Sequence, residues 1–509
     1  MNVRWLSLAL QLAVIMGLGS CTVVRQNQSP PLSTYDKGIG ANKSFNVMAP
    51  LLPYDPRDPQ SDVSEESFAE FRSHLAVMKA MGVDGVSTDI WWGLVEKEDN
   101  KFDFSYYERI VDAITTAGLE WVPILSFHQC GGNVGDSCDV PIPQWIFTKG
   151  AVAGKDLLAN DLKYKSEQGN FSSETVSAWG SYLVLEDYRE FMAAFQERFA
   201  NRRSQIQEIN ISLGPAGELR YPSYNSHDEG TNYPTRGGLQ AYSKMAVADF
   251  QKFVVERYGN LKAIRQAWGR TRYVPKRVSD IKPPVDADRF FEQRDHQGTT
   301  YGRDFFDWYR DSLIRHGDRI MTAAIETFTA DNSAFRGIAL GAKIPGIHWR
   351  IGSSETGELV LSDRLAELNA GLIGVSRADW ERDQDGRGYR PLIALFRSLG
   401  AKAYPTPVNL HFTCLEMDDN QDPDAQSMAK SLVRWVGQEA KRQSVPIKGE
   451  NALGWNVPKE SSWDHMASHM AGKGNPLGYY DGLTILRMSD VAASAMARER
   501  YEEIIRRYR

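Results

Sequence analysis

Only four cysteines occur in 509 residues, and they form neither a CxxC pair nor a zinc-finger spacing, so a structural zinc site has no framework. Positive charge is in slight deficit: 59 Lys+Arg stand against 65 Asp+Glu, a formal net charge of −6. That balance argues against nucleic acid as the main partner, because binding phosphates needs a concentrated basic surface. Beyond the N-terminus there is no run of about 18 apolar residues, so no later segment reads as a membrane span. Internal repeats with periods of about 20–50 residues are absent as well. So are low-complexity tracts outside the N-terminal region and an appended β-sandwich at the C-terminus.

What is present is ordinary globular material. Apolar residues make up 42 % and charged residues 24 %, which excludes wholesale disorder and permits a large core. Aromatics reach 11 %, with 13 Trp and 21 Tyr. Such rings stack on the flat C–H faces of sugars, although most Trp in any protein is core.

The N-terminus reads as a targeting segment. Arg4 precedes an apolar stretch from Leu6 to Leu18 interrupted by Gln11, too short to span a bilayer and built like a secretory signal. It ends in Leu18-Gly19-Ser20-Cys21, which resembles the bacterial lipobox; in such signals the cysteine becomes the lipidated first residue. The alternative is an ordinary signal cleaved nearby, with Cys21 incidental. The expected division is a signal peptide over 1–20, lipidated Cys21 with a polar tether over 21–43, and one folded domain over 44–509. The expected location is membrane-anchored, in the periplasm or on the cell surface. Export implies an oxidising compartment. Cys130 and Cys138, in one short Gly-rich segment, can then bridge locally, while Cys414 sits in an apolar strand and reads as a buried free thiol.

Eight short apolar runs punctuate the domain: Phe45–Leu51, Val83–Trp92, Glu120–His128, Ile206–Leu213, Gly337–Ile347, Asn409–Met417, Val445–Ala452 and Gly482–Met488. Nearly uninterrupted Val, Ile and Phe are what parallel strands buried on both faces require. Helical spacing of apolar residues marks Glu65–Met81, Tyr106–Ala117, Leu185–Phe199 and Val491–Arg509. Eight βα units predict an α/β fold, a (β/α)₈ barrel with long βα loops.

Barrel sites form at the C-terminal ends of the strands. There the sequence puts Asp89, His128 with Asp136 in the loop beyond, Glu218, Lys343 and His348, Thr413 and Glu416, Glu450 with Asn451, and Arg487 with Asp490. Each has a bland reading: Asp89 as a helix cap, His128 as a core histidine, Arg487 and Asp490 as a structural ion pair. Together they would converge on one cavity. Glycosidic hydrolysis needs one protonated carboxyl to protonate the leaving oxygen and a second carboxylate to activate water or attack the sugar. Glu218, in a Gly/Pro-constrained turn, and Glu450, at a strand end, are the sharpest pair. Glu416, Asp89 and Asp136 compete, and chemistry alone does not choose among the five.

The motifs do. TDIWWG (88–93), SFHQCGGNVGDSCDVPIPQW (126–145), LGPAGELRYPSY (213–224), KIPGIHW (343–349), FTCLEM (412–417), GENAL (449–453) and LRMSD (486–490) resemble the β-amylases, glycoside hydrolase family 14, from about residue 45 to about 505. The resemblance implies a (β/α)₈ catalytic domain that removes β-maltose from the non-reducing ends of α-1,4-glucans with inversion. By it, Glu218 matches the general acid and Glu450 the general base. Asp89, His128 and Asp136 match the residues holding the terminal glucose, Asp136 on a segment that closes over substrate. Lys343 and His348 match binders of the sugars beyond the scissile bond. Thr413 matches an inner-loop contact near the base, and Asn451, Ala452 and Arg487 match further sugar contacts. Glu416 matches no catalytic role and would hydrogen-bond beneath the site.

Bacterial members can hold one Ca²⁺. Glu96, Asp99 and Asn100 resemble one half of that site, and Asp187 with Glu190 the other; a solvated acidic turn and an acidic helix face are the equal alternative. No cofactor is needed for the chemistry itself. The expected partners are an α-1,4-glucan and, through Cys21, a lipid membrane; the chain is expected to be a monomer. Departures from the family include the missing C-terminal starch-binding domain, Arg350 after Trp349, and a long polar stretch over 376–407. The rival function is a barrel that captures or senses α-glucan without cleaving it. Retention of both glutamates favours the enzyme, since a binding protein needs no water-activating base.

Overall fold

The computed structural model describes residues 43–132, 136–149, 151–152, 155–224, 227–351, 364–375, 388–419, 422–470 and 479–509. The signal segment, Cys21 and the tether up to residue 42 lie outside the described residues, as does part of the polar stretch, 376–387.

Eight strands close a barrel: β1 (Ser44–Met48), β2 (Gly85–Trp91), β3 (Glu120–Ser126), β4 (Glu208–Ile211), β5 (Ala339–Lys343), β6 (Val408–Phe412), β7 (Ile447–Glu450) and β8 (Gly482–Ile485). Every neighbouring pair is parallel, and β8 pairs back onto β1 from Ser44↔Gly482 to Val47↔Ile485. All eight apolar runs therefore coincide with a barrel strand, β1 and β6 beginning one residue before theirs. The runs overshoot at their C-terminal ends, because the chain leaves the ladder there and turns into the βα loops. His128, Thr413 and Glu416 lie on those extensions.

The main outer helices follow the strands in order: α1 (Asp62–Ala80), α2 (Ser105–Thr116), α3 (Leu185–Phe199), α4 (Thr300–Thr329), α5 (Arg390–Ala403), α6 (Ala429–Arg442), α7 (Glu460–Met470) and α8 (Ala495–Tyr508). Ser61 caps α1 by accepting from the Ser64 N–H, and Phe68, Phe71, Leu75 and Met78 form its buried stripe. The C-terminal helix differs from its expected span. Ser494 leaves helical geometry (φ −108°, ψ 117°) and caps a new helix starting at Ala495 by accepting from the Ala497 N–H, so the segment splits into Met488–Ala493 and α8. A serine competes for backbone N–H groups in this way, and the apolar period alone does not reveal it.

The barrel interior is polar at its centre. Glu208 of β4 accepts from Lys448 Nζ at 2.5 Å, His411 Nε2 at 2.5 Å and Asn409 Nδ2 at 2.8 Å. Burial alone would raise the Glu208 carboxyl, but Lys448 and His411 outweigh it and hold it below the usual carboxylate range.

Five of the nine histidines, His128, His296, His316, His348 and His469, are buried, and burial holds each below the usual 6.5, at about 3 or 4. Such a group stays neutral in the folded chain while the unfolded chain takes up a proton below about pH 6.5, so its contribution to stability is lost as pH falls. His316, bonded to Ser181 Oγ at 2.9 Å and Leu213 O at 2.8 Å, isolates the effect. The stability advantage of wild type over His316→Gln should shrink by up to ~1.4 kcal/mol per pH unit between about pH 6.5 and 4. Denaturant unfolding at a series of pH values checks it; an advantage independent of pH would contradict it.

Candidate active site

The acid turn is built by backbone constraint. After β4 the chain passes Gly214, Pro215, Ala216 and Gly217, with Ala216 at φ 55° and Gly217 at φ 77°. A Cβ on Gly214 would collide with the Glu218 carbonyl, so only glycine lets the turn fold this tightly. Glu218 is then extended (φ −92°, ψ 143°) and bridges in parallel to Lys343, with Leu219 N donating to Lys343 O at 2.8 Å. This brings the Glu218 side chain beside the end of β5. Arg220, two residues on, is on the same side of an extended backbone. Its Nε donates to Glu218 Oε2 at 2.9 Å, and its guanidinium lies 4.2 Å from the Tyr224 ring centroid.

Glu450, the last residue of β7, faces Glu218 across Lys343. Lys343 Nζ donates to Glu450 Oε1 at 2.7 Å and lies 3.8 Å from Glu218 Oε1. Burial works against the lysine charge, but Glu450 and then Glu218 overcome it and raise Lys343 above its ordinary value. The ammonium therefore stays charged between the two carboxylates. An amine-sized gap thus separates two glutamates at the C-terminal face of the barrel.

Around this centre, most residues singled out by sequence converge. Asp89 lines the same cavity as His128, Lys343 and Glu450 and accepts from Ser126 Oγ at 2.9 Å. Burial raises its carboxyl, opposed by Arg487, the Ser126 hydrogen bond and Lys343. His128 Nδ1 pairs with Ser212 Oγ at 2.8 Å; burial, reinforced by the cations Lys343 and Arg220, brings its pKa down to about 3. A neutral imidazole is left whose Nε2 can meet a sugar hydroxyl. Arg487, at the end of β8, donates to Ala49 O at 3.3 Å, and burial lowers its pKa against the pull of Asp89, Asp136 and Glu450. Asp490 bonds the Arg487 backbone N–H at 3.2 Å, closing the turn as a cap.

His348 Nδ1 pairs with Ser427 Oγ at 2.9 Å, and its ring packs 5.9 Å from that of Tyr233. Thr413 is buried just past β6, where the chain meets Gly346 of the β5 loop. A Cβ on Gly346 would lie 2.5 Å from Cys414 Sγ and 3.1 Å from Thr413 Cγ2, so glycine lets the two loops close. Cys414 is a buried free thiol, as expected.

Glu416 has the supporting place expected of it. Its carboxylate accepts from Ala452 N and Leu453 N, both at 3.0 Å, and from Asn456 Nδ2 at 3.3 Å, which fixes the loop immediately after Glu450. Asn451 follows Glu450 directly. Its side chain is fully buried and holds Leu486 from both sides, accepting from its N–H at 2.7 Å and donating to its carbonyl at 2.6 Å. That amide is committed to joining the ends of β7 and β8. The Ala452 N–H is likewise committed to Glu416.

Asp136 lies on the loop closed by a Cys130–Cys138 disulfide and accepts from the Gly131 N–H at 3.2 Å. With the cysteines eight positions apart in sequence, the chain-entropy model gives about 2–3 kcal/mol for this bridge. The double variant C130S/C138S should lose that much stability. Unfolded without reductant, the chain from residue 43 onward should titrate one thiol, Cys414. Three thiols would contradict the bridge.

The five residues matched to a calcium site divide. Asp99, Asp187 and Glu190 present carboxylate oxygens within 4.8 Å of one another. Glu96 is otherwise engaged: Oε2 accepts from Trp92 Nε1 at 2.7 Å and Oε1 from Asn100 N at 2.9 Å. Burial raises its carboxyl to about 7. Asn100 Nδ2 turns to Asp99 Oδ1 at 3.3 Å. A lysine ammonium, Lys149, already sits against Asp99 and Asp187, so the set does not fit a resident metal ion.

Serine hydroxyls behind Asp89, His128 and His348, and Arg220 behind Glu218, are the functional neighbours that sequence reading did not assign. The two-residue spacing of Glu218 and Arg220 was the one signal that could have found a pair; nothing local points to Ser126, Ser212 or Ser427.

A parallel barrel with two glutamates facing each other across a half-buried ammonium at its C-terminal face defines a barrel glycoside hydrolase. The comparisons with known proteins sharpen this: the sequence profile described as Glycosyl hydrolase family 14 matches residues 61–503, and the chain belongs to that family. It is 37% identical over 465 residues to the thermophilic beta-amylase of Thermoanaerobacterium thermosulfurigenes, covering 91% of this chain and 73% of that one. To the beta-amylase of Cytobacillus firmus it is 35% identical over 425 residues, covering 83% and 79%. The crystal structure of the catalytic domain of beta-amylase from Paenibacillus polymyxa superimposes with a TM-score of 0.74 at 32% identity, over 92% of this chain and 100% of that one.

Proposed function

We propose that the chain hydrolyses α-1,4-glucosidic bonds of starch- or glycogen-type glucans from their non-reducing ends, releasing β-maltose with inversion. The observation that carries this reading is the pair Glu218 and Glu450 on either side of Lys343, with Lys343 and Glu450 lining a cavity together with Asp89 and His128. Membership of a family whose named relatives are beta-amylases supports the substrate class.

In this reading Asp89, neutral His128, Asp136 and Arg487 hold the terminal glucose and stop the chain end, which makes the enzyme exo-acting. Glu218, aimed by Arg220 and by the bridge to Lys343, gives its proton to the leaving glycosidic oxygen. Glu450 takes a proton from a water that attacks the anomeric carbon from the opposite face. Each turnover consumes one water and leaves one proton to pass from Glu450 back to Glu218 through solvent. Lys343 and His348 bind the sugars beyond the broken bond, so Lys343 would leave its place between the carboxylates as substrate enters. Glu416 and Asn451 act through the backbone, keeping the segment after Glu450 in register. Maltopentaose should give maltose and maltotriose as first products; early glucose or a ladder of sizes would contradict the exo assignment.

Location belongs to the same proposal. Lipid chains on Cys21 would anchor the barrel through the polar tether, since stable anchoring takes two or more chains. Cys21→Ser should move the enzyme out of the membrane fraction or leave an uncleaved precursor. Wild-type protein from its own host that is wholly soluble, with no lipid mass on its N-terminal peptide, would contradict this.

A further inference from the structure

Lys149 stands at the end of the short helix Trp145–Thr148, which closes the long segment carrying His128 and Asp136. Its ammonium pairs with Asp187 Oδ1 of α3 and lies 3.3 Å from Asp99 Oδ2 of the segment after β2. The same ammonium lies 5.1 Å from the Trp145 ring centroid. Trp145 in turn donates its indole N–H to the Glu96 carbonyl at 3.0 Å. Glu190, three residues after Asp187 and so on the same face of α3, completes the carboxylate cluster. Three chain segments far apart in sequence are thus fastened by one positive charge among oxygen ligands. An oxygen-binding divalent cation would do the same work and would need the same oxygens.

We propose that Lys149 takes the place of a metal ion at this junction: the native chain holds no calcium there, and removing the ammonium opens a calcium site. The two cations exclude each other. Seating Ca²⁺ among Asp99, Asp187 and Glu190 requires Lys149 to leave, and Asp187, nearly buried, cannot serve both. Covalent attachment gives the lysine a standing advantage over a free ion. Once it is gone, three carboxylates face each other uncompensated, the condition in which a hard divalent cation binds.

The test compares full-length mature wild type with Lys149→Met, which keeps most of the aliphatic stem. Wild type should show the same Tm in EDTA and in millimolar CaCl₂, should carry no stoichiometric calcium after purification, and should not sensitise terbium luminescence through its tryptophans. Lys149→Met should lose several degrees of Tm in EDTA, regain them in CaCl₂, and bind terbium in competition with Ca²⁺. Lys149→Arg, which keeps a cation, should behave like wild type. A wild-type Tm that falls in EDTA with calcium bound one to one would overturn the proposal. So would a folded Lys149→Met that gains no response to calcium. Should Lys149→Met not fold, the calcium content and EDTA response of wild type decide alone.

Discussion

Glu218→Gln and Glu450→Gln are each expected to lower kcat on soluble starch by roughly 10²–10⁴-fold while glucan binding stays measurable. The reasons differ. A carboxamide at 218 keeps the shape and still accepts from Arg220 Nε, but it has no acidic proton for the leaving oxygen. A carboxamide at 450 still accepts from Lys343 Nζ, but it cannot take a proton from water. Because the two groups act in one step, the double variant should lose little more than the worse single variant. Single-turnover rates with maltopentaose, beside binding by isothermal calorimetry, separate chemistry from affinity. A variant that loses affinity and rate together would show that the glutamate holds substrate and does no proton transfer.

Lys343→Met is expected to cost nearly as much, by another route. The half-buried ammonium lies between the two carboxylates and is kept charged by them. Without it the two glutamates face each other with no cation between them. Removing one partner of a fully buried pair costs about 3–5 kcal/mol because the remaining charge is left uncompensated, which is an upper bound for this half-buried lysine. Both stability and kcat/KM should fall, the latter by at least about 10²-fold, with KM for short oligosaccharides rising because a sugar contact beyond the scissile bond is also lost. Lys343→Arg keeps the charge but places it at another height, and should recover stability more than rate. Unchanged KM with unchanged stability would mean that Lys343 neither binds sugar nor balances the carboxylates.

The barrel was legible because parallel strands buried on both faces are written as continuous apolar runs, and each of the eight runs coincides with a strand. The candidate site followed from that, since polar residues at strand ends have one direction to face. What stayed hidden depends on partners distant in sequence. Ser212 behind His128 and Ser427 behind His348 are ordinary loop serines until the fold brings them within 2.8 and 2.9 Å. Asn451 carries the right motif, yet its amide turns inward to Leu486, a choice set by how β7 and β8 end. Lys149 had no local signal either: a lysine after a short amphipathic turn reads as solvent-exposed, and only packing against α3 gives it two aspartates. The break at Ser494 was readable in principle from its capping chemistry, but the apolar period runs through it.

The most direct test of the central claim, an acid and a base acting on opposite faces of the sugar, is ¹H NMR of wild-type enzyme with maltopentaose in the first minutes, before mutarotation. The first maltose released should carry the β-anomeric signal, with the α signal growing in only later by mutarotation. Maltose appearing first as the α anomer would mean that the configuration is retained, and Glu450 would then have to be a nucleophile rather than a base.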